Sequence, residues 1–188
     1  MAQTKDTALL LLDFQVGVGD QPCARNAAQR AAVALKAGRV AGLPVAFSKV
    51  KFRAGYRDVA DSNKAFALIK MKNLFPPDES KLISILQPEH DEIVVNKDRF
   101  CAFSGNDLKV VLRSGGIKHL VMAGVVTSGV ILSTFTLATD EDYTITILSD
   151  ACADPKASLH EELMTNLFPR SATVLTVDQW IASLPTKG

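Results

Sequence analysis

Three short segments of the chain place polar or small residues directly after apolar runs, where the parallel strands of a sheet would end. Asp13 follows four leucines, and Lys97 follows the apolar run Ile93 to Val95 after one asparagine. The third segment, residues 124–129, reads Gly-Val-Val-Thr-Ser-Gly. Desolvation at the boundary of an apolar core raises the pKa of a carboxyl group, and a nearby ammonium group lowers it. Such a pair suits acid–base chemistry, although each residue alone also fits a structural carboxylate or a surface lysine.

The elements that must position these residues alternate between apolar runs and helical patterns. The predicted strands are Ala8–Leu12, Val45–Val50, Ile93–Val95, His119–Val125, Thr144–Leu148 and Thr173–Val177. The predicted helices are Asn26–Ala41, Asn106–Leu112, Ser128–Thr139, Ser158–Phe168 and a short one around Trp180. A long connection over residues 62–86 holds helical pieces broken by Pro76 and Pro77. This alternation predicts βαβ units in a parallel sheet that is covered on both faces and binds ligands at the carboxyl ends of its strands.

The length and composition of the chain fit one globular domain. Its 188 residues are 47% hydrophobic and 22% charged, and single cores become hard to extend only beyond roughly 250–300 residues. We therefore predict one domain over residues 1–188. The predicted fold is a three-layer, doubly wound α/β sandwich of Rossmann-like type with a six-stranded, mostly parallel sheet.

The charge distribution argues against nucleic-acid and membrane partners. The formal net charge is +1 at pH 7, and the chain has no concentrated positive block of the kind that binds nucleic acids and anionic membranes. The densest basic stretch, Lys49 to Arg57, fits either a solvated loop or a rim that attracts a small anionic substrate. The opening apolar run is too short to span a membrane and lacks the flanks of a signal peptide, so we expect a cytoplasmic protein.

Cysteine and histidine usage gives no sign of a metal or cofactor. The cysteines are widely separated and odd in number, unlike a disulfide framework: Cys23, Cys101 and Cys152. The histidines show no metal-ligand spacing: His90, His119 and His160. Neither of the common glycine-rich phosphate-binding motifs occurs. We predict no metal and no cofactor.

Four motifs resemble the isochorismatase-like, or cysteine hydrolase, superfamily along nearly the whole chain. They are the apolar strand ending in Asp13-Phe-Gln, the segment Val-Val-Asn-Lys97-Asp-Arg-Phe-Cys-Ala-Phe-Ser-Gly, the segment Ala-Gly-Val-Val-Thr-Ser-Gly-Val-Ile-Leu-Ser-Thr and the acidic segment Asp150-Ala-Cys-Ala-Asp154. Each motif alone is weak, but four in the correct order and spacing are specific. The resemblance implies a cofactor-independent hydrolase of a small, carboxylated molecule, acting as a homo-oligomer of two or more subunits.

One departure from the family's pattern concerns its nucleophile. The family's cysteine stands three residues after the threonine of the third motif, Thr127, where this chain has Val130. Valine cannot form a covalent adduct. The resemblance extends to the true isochorismatases, which also lack this cysteine and cleave a vinyl ether by acid-assisted addition of water, so that a proton donor matters more than a nucleophile. It implies that Asp13 supplies or relays the proton, while Lys97 tunes the pKa of Asp13 and stabilises negative charge.

The backbone of the same motif carries a further expectation. The resemblance implies a cis peptide bond between Val126 and Thr127. It also implies amide N–H groups, from there through Gly129 to Val130, that bind an oxyanion or a carboxylate at the start of a helix. The apolar character of residues 126–139 suits either a core or a subunit interface.

The predicted pocket wall consists largely of aromatic residues near strand ends. Its members are Phe14, Phe52, Arg53, Tyr56, Phe103 and the 126–130 loop. Phe14 and Phe103 fit core packing as well. The segment Phe52-Arg53-Ala54-Gly55-Tyr56 resembles one in relatives that lack the cysteine, and Arg53 either clamps a carboxylate bidentately or lies on the surface.

Two alternatives to acid–base hydrolysis stay open. Cys101 follows Lys97 by four residues, and a thiol beside an ammonium group can become a reactive thiolate, which would permit amide hydrolysis. The other interpretation of Cys101 is a buried small hydrophobe. Because of Val130, a non-catalytic relative that binds a small molecule is also consistent with the sequence.

Overall fold

The computed structural model describes residues 4–76 and 80–185. The strands within them are β1 Thr7–Leu12, β2 Val45–Val50, β3 Ile93–Lys97, β4 His119–Val125, β5 Thr144–Ala153 and β6 Thr173–Leu175. The α-helices are α1 Arg25–Ala41, α2 Lys64–Met71, α3 Leu108–Ser114, α4 Leu132–Asp140, α5 Ala157–Glu162 and α6 Val177–Ser183. Short 3-10 or π-helical turns cover Thr4–Asp6, Ala54–Tyr56, Thr127–Ile131, Leu163–Leu167 and Phe168–Arg170. None of these helices is long and apolar enough to cross a membrane.

The predicted α/β fold is confirmed. The six strands form one sheet in the order β3-β2-β1-β4-β5-β6, and every neighbouring pair is parallel. The chain starts near the centre of the sheet, builds outward through β2 and β3, and returns to the other side of β1 with β4. In an open sheet wound in this way, ligands bind at the carboxyl ends of the strands, at the point where the winding reverses. That point lies between β1 and β4.

The uninterrupted leucine run of β1 follows from burial on both faces of the sheet. Leu10 and Leu12 belong to an apolar cluster that includes residues of α3 and α4, whereas Leu9 and Leu11 pack with α1 and α6. Successive side chains of a strand point to opposite faces, so a strand covered by helices on both sides must be apolar throughout. Each of these leucines is 0% exposed.

Gly124 permits a close approach of β4 to β1 next to Asp13. It is paired with Leu12 in the parallel register. A Cβ atom at this position would lie 2.6 Å from the carbonyl oxygen of Leu12, which is closer than any carbon can approach without displacement. Glycine is therefore needed for the two central strands to stay paired up to the edge where the first and third motifs meet.

Several boundaries differ from the predicted ones. β3 runs through Lys97 instead of ending at Val95. β5 runs to Ala153 instead of Leu148, with a register irregularity against β4, so the acidic segment lies within the strand except for Asp154, which directly follows it. β6 ends at Leu175, two residues before the predicted end.

The helices also differ in detail. Residues 127–131, predicted as the start of a helix, form a π-helical turn before α4. The predicted helix Ser158–Phe168 begins as α5 and continues through a π-helical turn. Pro77, predicted to break the long connection, lies outside the described residues. The large apolar side chains of residues 126–139 are buried or half-buried, so this segment contributes to the core.

Candidate active site

The first functional side chain, Asp13, lies directly after β1 in a left-handed backbone conformation with φ 59°. Its amide N–H donates to the carbonyl oxygen of Ser48 on β2 at 3.0 Å. Its carboxylate has two partners: the hydroxyl of Ser48 donates to Oδ1 at 2.8 Å, and the Nζ of Lys97 lies 2.7 Å from Oδ2. The structure thus brings together Asp13 and Lys97, which are 84 positions apart in the sequence.

Lys97 reaches Asp13 across an intervening strand. The sheet order places β2 between β1 and β3, and adjacent strands lie about 4.8 Å apart. The two backbones are therefore separated by roughly two strand spacings, a gap that the long lysine side chain bridges. Its Nζ also donates to the carbonyl oxygen of Arg99 at 2.8 Å, so the ammonium group is held at both sides.

Burial dominates the electrostatics of this pair. Asp13 is 6% exposed and Lys97 is 2% exposed. Burial raises the pKa of the Asp13 carboxyl above its ordinary value, while the Lys97 ammonium group and the Ser48 hydroxyl oppose that rise. A carboxyl group with a raised pKa beside a buried proton donor can hold or release a proton closer to neutral pH than an ordinary aspartate can.

Ser48 is a site residue that the sequence analysis did not predict. It stands inside the apolar strand β2 and is 0% exposed. The signal was present, because a hydroxyl within a fully buried strand needs a hydrogen-bond partner. The sequence could not name the partner, since Asp13 lies 35 residues earlier.

A pocket of about 730 Å³ opens beside the carboxyl ends of β2 and β3. It is lined by Lys51, Phe52, Arg53, Ala54, Arg57, Asp58, Asn96, Lys97, Asp98 and Gly105. Two of the predicted pocket residues, Phe52 and Arg53, therefore share this cavity with Lys97. Of the buried pair, Lys97 is among the lining residues and Asp13 is not.

The cavity is rich in cations that lack acidic partners. Lys51, Arg53 and Arg57 line it, and none of them takes part in a salt bridge among residues 4–76 and 80–185. Lys49, in the same basic stretch, does not line it; its Nζ donates to the carbonyl oxygen of Ser80 at 2.7 Å. The basic stretch thus turns three of its four cations toward the cavity, as the rim interpretation expects.

Three predicted pocket residues lie elsewhere, which corrects the predicted wall. Phe14 is 0% exposed and belongs to the apolar cluster on the α1 side of the sheet. Phe103 belongs to the opposite cluster, where its ring stacks on Tyr143 at a centroid distance of 6.2 Å. Tyr56 packs against Phe52, and its hydroxyl donates to the carbonyl oxygen of Leu74 at 2.8 Å. Each of these rings is held by core contacts rather than by the cavity.

The 126–131 loop is fixed by residues that follow β5. The hydroxyl of Thr127 lies 2.9 Å from Nδ1 of His160, and the amide N–H of Ser128 donates to Oδ2 of Asp154 at 2.9 Å. Burial lowers the pKa of His160, while the nearby carboxylates, including Asp154, oppose that change. The sequence analysis placed Asp154 in the acidic motif but gave His160 no part in the site.

The loop backbone differs from the expectation in two respects. The cis peptide bond joins Val125 to Val126, one residue before the predicted bond between Val126 and Thr127. The amide N–H of Gly129 donates to the carbonyl oxygen of Val126 at 3.1 Å, so this group already has a partner within the loop. Val130 is 2% exposed and packs in the core on the α4 side.

The cysteines are dispersed. Cys23 is exposed, and Cys152 is buried on β5, where burial raises the pKa of its thiol to about 12. Cys101 is half-buried and packs against the apolar cluster on the α4 side. The described residues that line the cavity do not include it.

The fold and this arrangement can be compared with known proteins. The protein-family model of the isochorismatase domain matches residues 7–179 of the sequence. The chain belongs to the isochorismatase family. Members of this family are hydrolases, so a hydrolase with an unspecified small-molecule substrate is the activity that membership supports.

Three members of the isochorismatase family or its relatives show the extent of the likeness. YecD of Escherichia coli O157:H7, an uncharacterized isochorismatase family protein, is 27% identical over 184 residues, which cover 96% of this chain and 97% of that protein. The ureidoacrylate amidohydrolase RutB of Variovorax paradoxus is 32% identical over 104 residues, 55% of this chain and 41% of that protein. An isochorismatase family protein from Burkholderia thailandensis has a TM-score of 0.84 at 26% identity, covering 99% of this chain and 98% of its own.

Proposed function

We propose that this protein hydrolyses a small carboxylated molecule by acid–base chemistry on Asp13 and Lys97, with no cysteine nucleophile at position 130. The observation that carries the proposal is the buried contact of 2.7 Å between Lys97 Nζ and Asp13 Oδ2. Burial of two charges is costly unless they are paired and hydrogen-bonded. An ion pair of this kind is weak evidence for stability, so a chemical role is the better explanation of its place beside a cavity.

The division of labour follows from the two side chains. Asp13, whose pKa is raised by burial, delivers a proton to the substrate and then acts as the base that orders the attacking water. Lys97 stays close enough to stabilise the carboxylate once the proton has left. Its ammonium group, held beside Asp13, also brings a positive charge near the position where negative charge develops on the substrate.

The cavity supports the carboxylated class of substrate. Lys51, Arg53 and Arg57 bring three cations to its wall without an acidic partner among the described residues. A guanidinium group binds a carboxylate through two parallel hydrogen bonds, and Arg53 is the residue we propose for that contact. Lys51 and Arg57 add charge that draws an anion toward the site.

Amide hydrolysis by Cys101 is the second candidate. RutB is an amidohydrolase and resembles part of this chain, which is a reason to include amides among the substrates tested. Against a role for the thiol, Cys101 packs against the core and is absent from the described cavity lining. We therefore assign the chemistry to Asp13. The cytoplasmic location and the homo-oligomer stay predictions.

The deciding experiment is turnover of a mixed panel that contains isochorismate and small carboxylated amides. Wild type is compared with Asp13→Ala, with Asp61→Ala as a control that removes an exposed carboxylate paired with Lys70. We expect Asp13→Ala to lower turnover at least about 100-fold, the low end for a positioned acid or base, and Asp61→Ala to leave it unchanged. The bond that breaks identifies the substrate branch.

Other outcomes would redirect the proposal. Activity that survives Asp13→Ala would place the chemistry on another residue, and loss of that activity on alkylation of Cys101 would identify the thiol. If no compound is turned over but one raises the melting temperature as ligand linkage requires, the protein is a binding module.

A further inference from the structure

The strand β2 carries one polar side chain at a place where the sheet is otherwise apolar. Ser48 is paired with Leu12 on one side and with Val95 on the other. Both neighbours, together with Ala46 two residues earlier on β2, belong to the apolar cluster on the α4 side. Parallel partners and alternate residues of a strand share a face of the sheet, so the Ser48 hydroxyl lies among these apolar side chains.

The position of Ser48 coincides with the path between the two residues assigned to the chemistry. Asp13 follows β1 and Lys97 ends β3, and β2 lies between those strands. Ser48 meets Asp13 twice: its carbonyl oxygen accepts the Asp13 amide N–H at 3.0 Å, and its hydroxyl donates to Oδ1 at 2.8 Å. A small side chain on the middle strand also leaves room for the lysine to pass over it.

The contacts of its two oxygens fix the orientation of the Asp13 carboxylate. Oδ1 is taken by Ser48 and Oδ2 by Lys97, so rotation of the carboxyl group would break a bond at each oxygen. The two partners differ in what they can do. An ammonium group only donates hydrogen bonds, whereas a hydroxyl group donates or accepts. Ser48 can therefore serve Oδ1 both when Asp13 is ionised and when that oxygen carries the proton.

We infer that Ser48 is a positioning residue for Asp13. Ser48 holds Oδ2 of Asp13 toward Lys97 and gives Oδ1 a hydrogen-bond partner in both protonation states of the carboxyl group. The inference rests on the proposed role of Asp13 in the reaction. The carboxylate, and not the surrounding cluster, needs this hydroxyl, because an apolar residue of similar size would pack in the cluster but leave Oδ1 of Asp13 without its donor.

The test is a pH titration of the Asp13 carboxyl group, monitored by carbon-13 NMR on protein labelled at aspartate. The resonance is assigned with Asp13→Asn. We compare wild type with Ser48→Ala, Ser48→Cys and the control Ser80→Ala. Ser80 also buries a hydroxyl, but that hydroxyl donates to the carbonyl oxygen of Val50 at 2.7 Å and not to a carboxylate.

We expect Ser48→Ala to raise the pKa of Asp13, because a hydrogen bond that favours the ionised form is lost. Ser48→Cys keeps nearly the volume of the side chain but supplies only a weak donor, so it should raise this pKa as well. Ser80→Ala should leave it unchanged. A role in filling space alone predicts that the cysteine variant titrates like wild type, and this result would overturn the inference. The cysteine variant thus tests the role of Ser48 even if Ser48→Ala fails to fold.

The same variants separate this inference from the proposed function. On a substrate that Asp13→Ala fails to process, we expect kcat of Ser48→Ala to fall about tenfold, equivalent to one hydrogen bond to a charged group. We also expect the alkaline limb of its pH profile, where the proton donor Asp13 becomes ionised, to move up with the pKa. Unchanged titration and an unchanged profile in a protein that still needs Asp13 would refute positioning by Ser48 and leave the function intact. A shifted titration in a protein without turnover would support positioning and refute the function.

Discussion

Two carboxylates near the carboxyl ends of parallel strands have nearly the same contacts and very different surroundings. Asp13 after β1 lies 2.7 Å from the Nζ of Lys97, and Asp150 on β5 lies 2.8 Å from the Nε of Arg30. Each carboxylate has partners for both of its oxygens. In the first pair the side chains are 9% and 0% exposed, and in the second they are 26% and 24% exposed.

The second pair holds helices in place. Arg30 belongs to α1 and also contacts Asp178 of α6 at 2.6 Å. The other oxygen of Asp150 accepts the amide N–H of Val177, the first residue of α6, at 2.8 Å. The hydrogen bonds that Arg30 donates to Asp178 and Asp150 raise the pKa of its guanidinium group. The arrangement ties β5 to two helices on one face of the sheet, and it faces solvent, where ion pairs contribute little beyond their hydrogen bonds.

Burial of the two side chains, more than the distance between them, separates a chemical ion pair from a structural one. A half-exposed carboxylate stays hydrated, and its hydrogen bonds serve the fold. A buried carboxylate loses hydration, so its pKa and its orientation depend on a few side chains. The two pairs can therefore be told apart by removing the cation from each.

The largest expected effect is that of Lys97→Met on turnover. The substitution keeps an unbranched side chain of similar length but removes the charge beside Asp13. Burial then raises the pKa of Asp13 without opposition from the ammonium group, and the protonated acid no longer returns to its ionised form. We expect kcat to fall at least about 100-fold, as for loss of a positioned acid or base, measured on a substrate that wild type processes.

The matched control is Arg30→Met in the half-exposed pair. It removes a cation at the same distance from a carboxylate, but no contact links it to Asp13. We expect kcat within about threefold of wild type, since each tenfold change requires 1.4 kcal/mol at the transition state. Equal losses of turnover in the two variants would break the comparison and assign both pairs to one structural class.

A smaller effect, on stability, is expected from Asp150→Ala. The amide N–H of Val177 loses its acceptor at the start of α6, and Arg30 loses one of its two carboxylates. An unsatisfied buried donor costs about 1–3 kcal/mol. We expect the free energy of unfolding to fall by roughly that amount in urea denaturation, with kcat unchanged. Asp150→Asn, which keeps an oxygen able to accept from Val177, should lose less; an equal loss would show that the ion pair matters and the amide contact does not.

The sequence predicted the parts of the site that depend on strand ends. Asp13 and Lys97 follow or end apolar runs, and parallel strands bring their carboxyl ends to one edge of the sheet. This argument needs only the order of the elements, so it held although several strand boundaries were misplaced. Phe52 and Arg53 were predicted for the pocket wall from aromatic residues near strand ends and from a segment resembling relatives that lack the cysteine, and both line the cavity beside β2.

The other parts depend on contacts that periodicity does not encode. Phe14 and Phe103 were placed on the pocket wall because they stand near strand ends. Successive side chains point to opposite sides, so a shift of one position along the chain moves a side chain from the cavity to the core. Ser48 and His160 owe their contacts to partners 35 and 33 residues away. The extra length of β5 arises from a register irregularity against β4, and no local pattern marks it.

The smallest expected effect is a difference in the pH dependence of stability. Burial raises the pKa of folded Asp13 above its unfolded value near 3.9, although Lys97 and Ser48 oppose the rise. Above pH 4 and up to the raised pKa, the folded protein then holds more protons than the unfolded chain. Its stability must fall as the pH rises through this window. We expect the difference in unfolding free energy between wild type and Asp13→Asn to decrease in that direction.

Glu92, whose side chain is as little exposed as that of Asp13, supplies the opposite sign. Burial acts to raise the pKa of Glu92, but hydrogen bonds from Arg39 and from the Glu89 amide outweigh it and lower the pKa overall. Its contribution is complete above an unfolded value near 4.3 and is lost as the pH falls through the lowered value. In parallel urea titrations from pH 3 to pH 7, the Glu92→Gln difference should therefore grow with pH while the Asp13→Asn difference shrinks. If both differences grow, burial does not raise the pKa of Asp13, and Asp13 is an ordinary paired carboxylate.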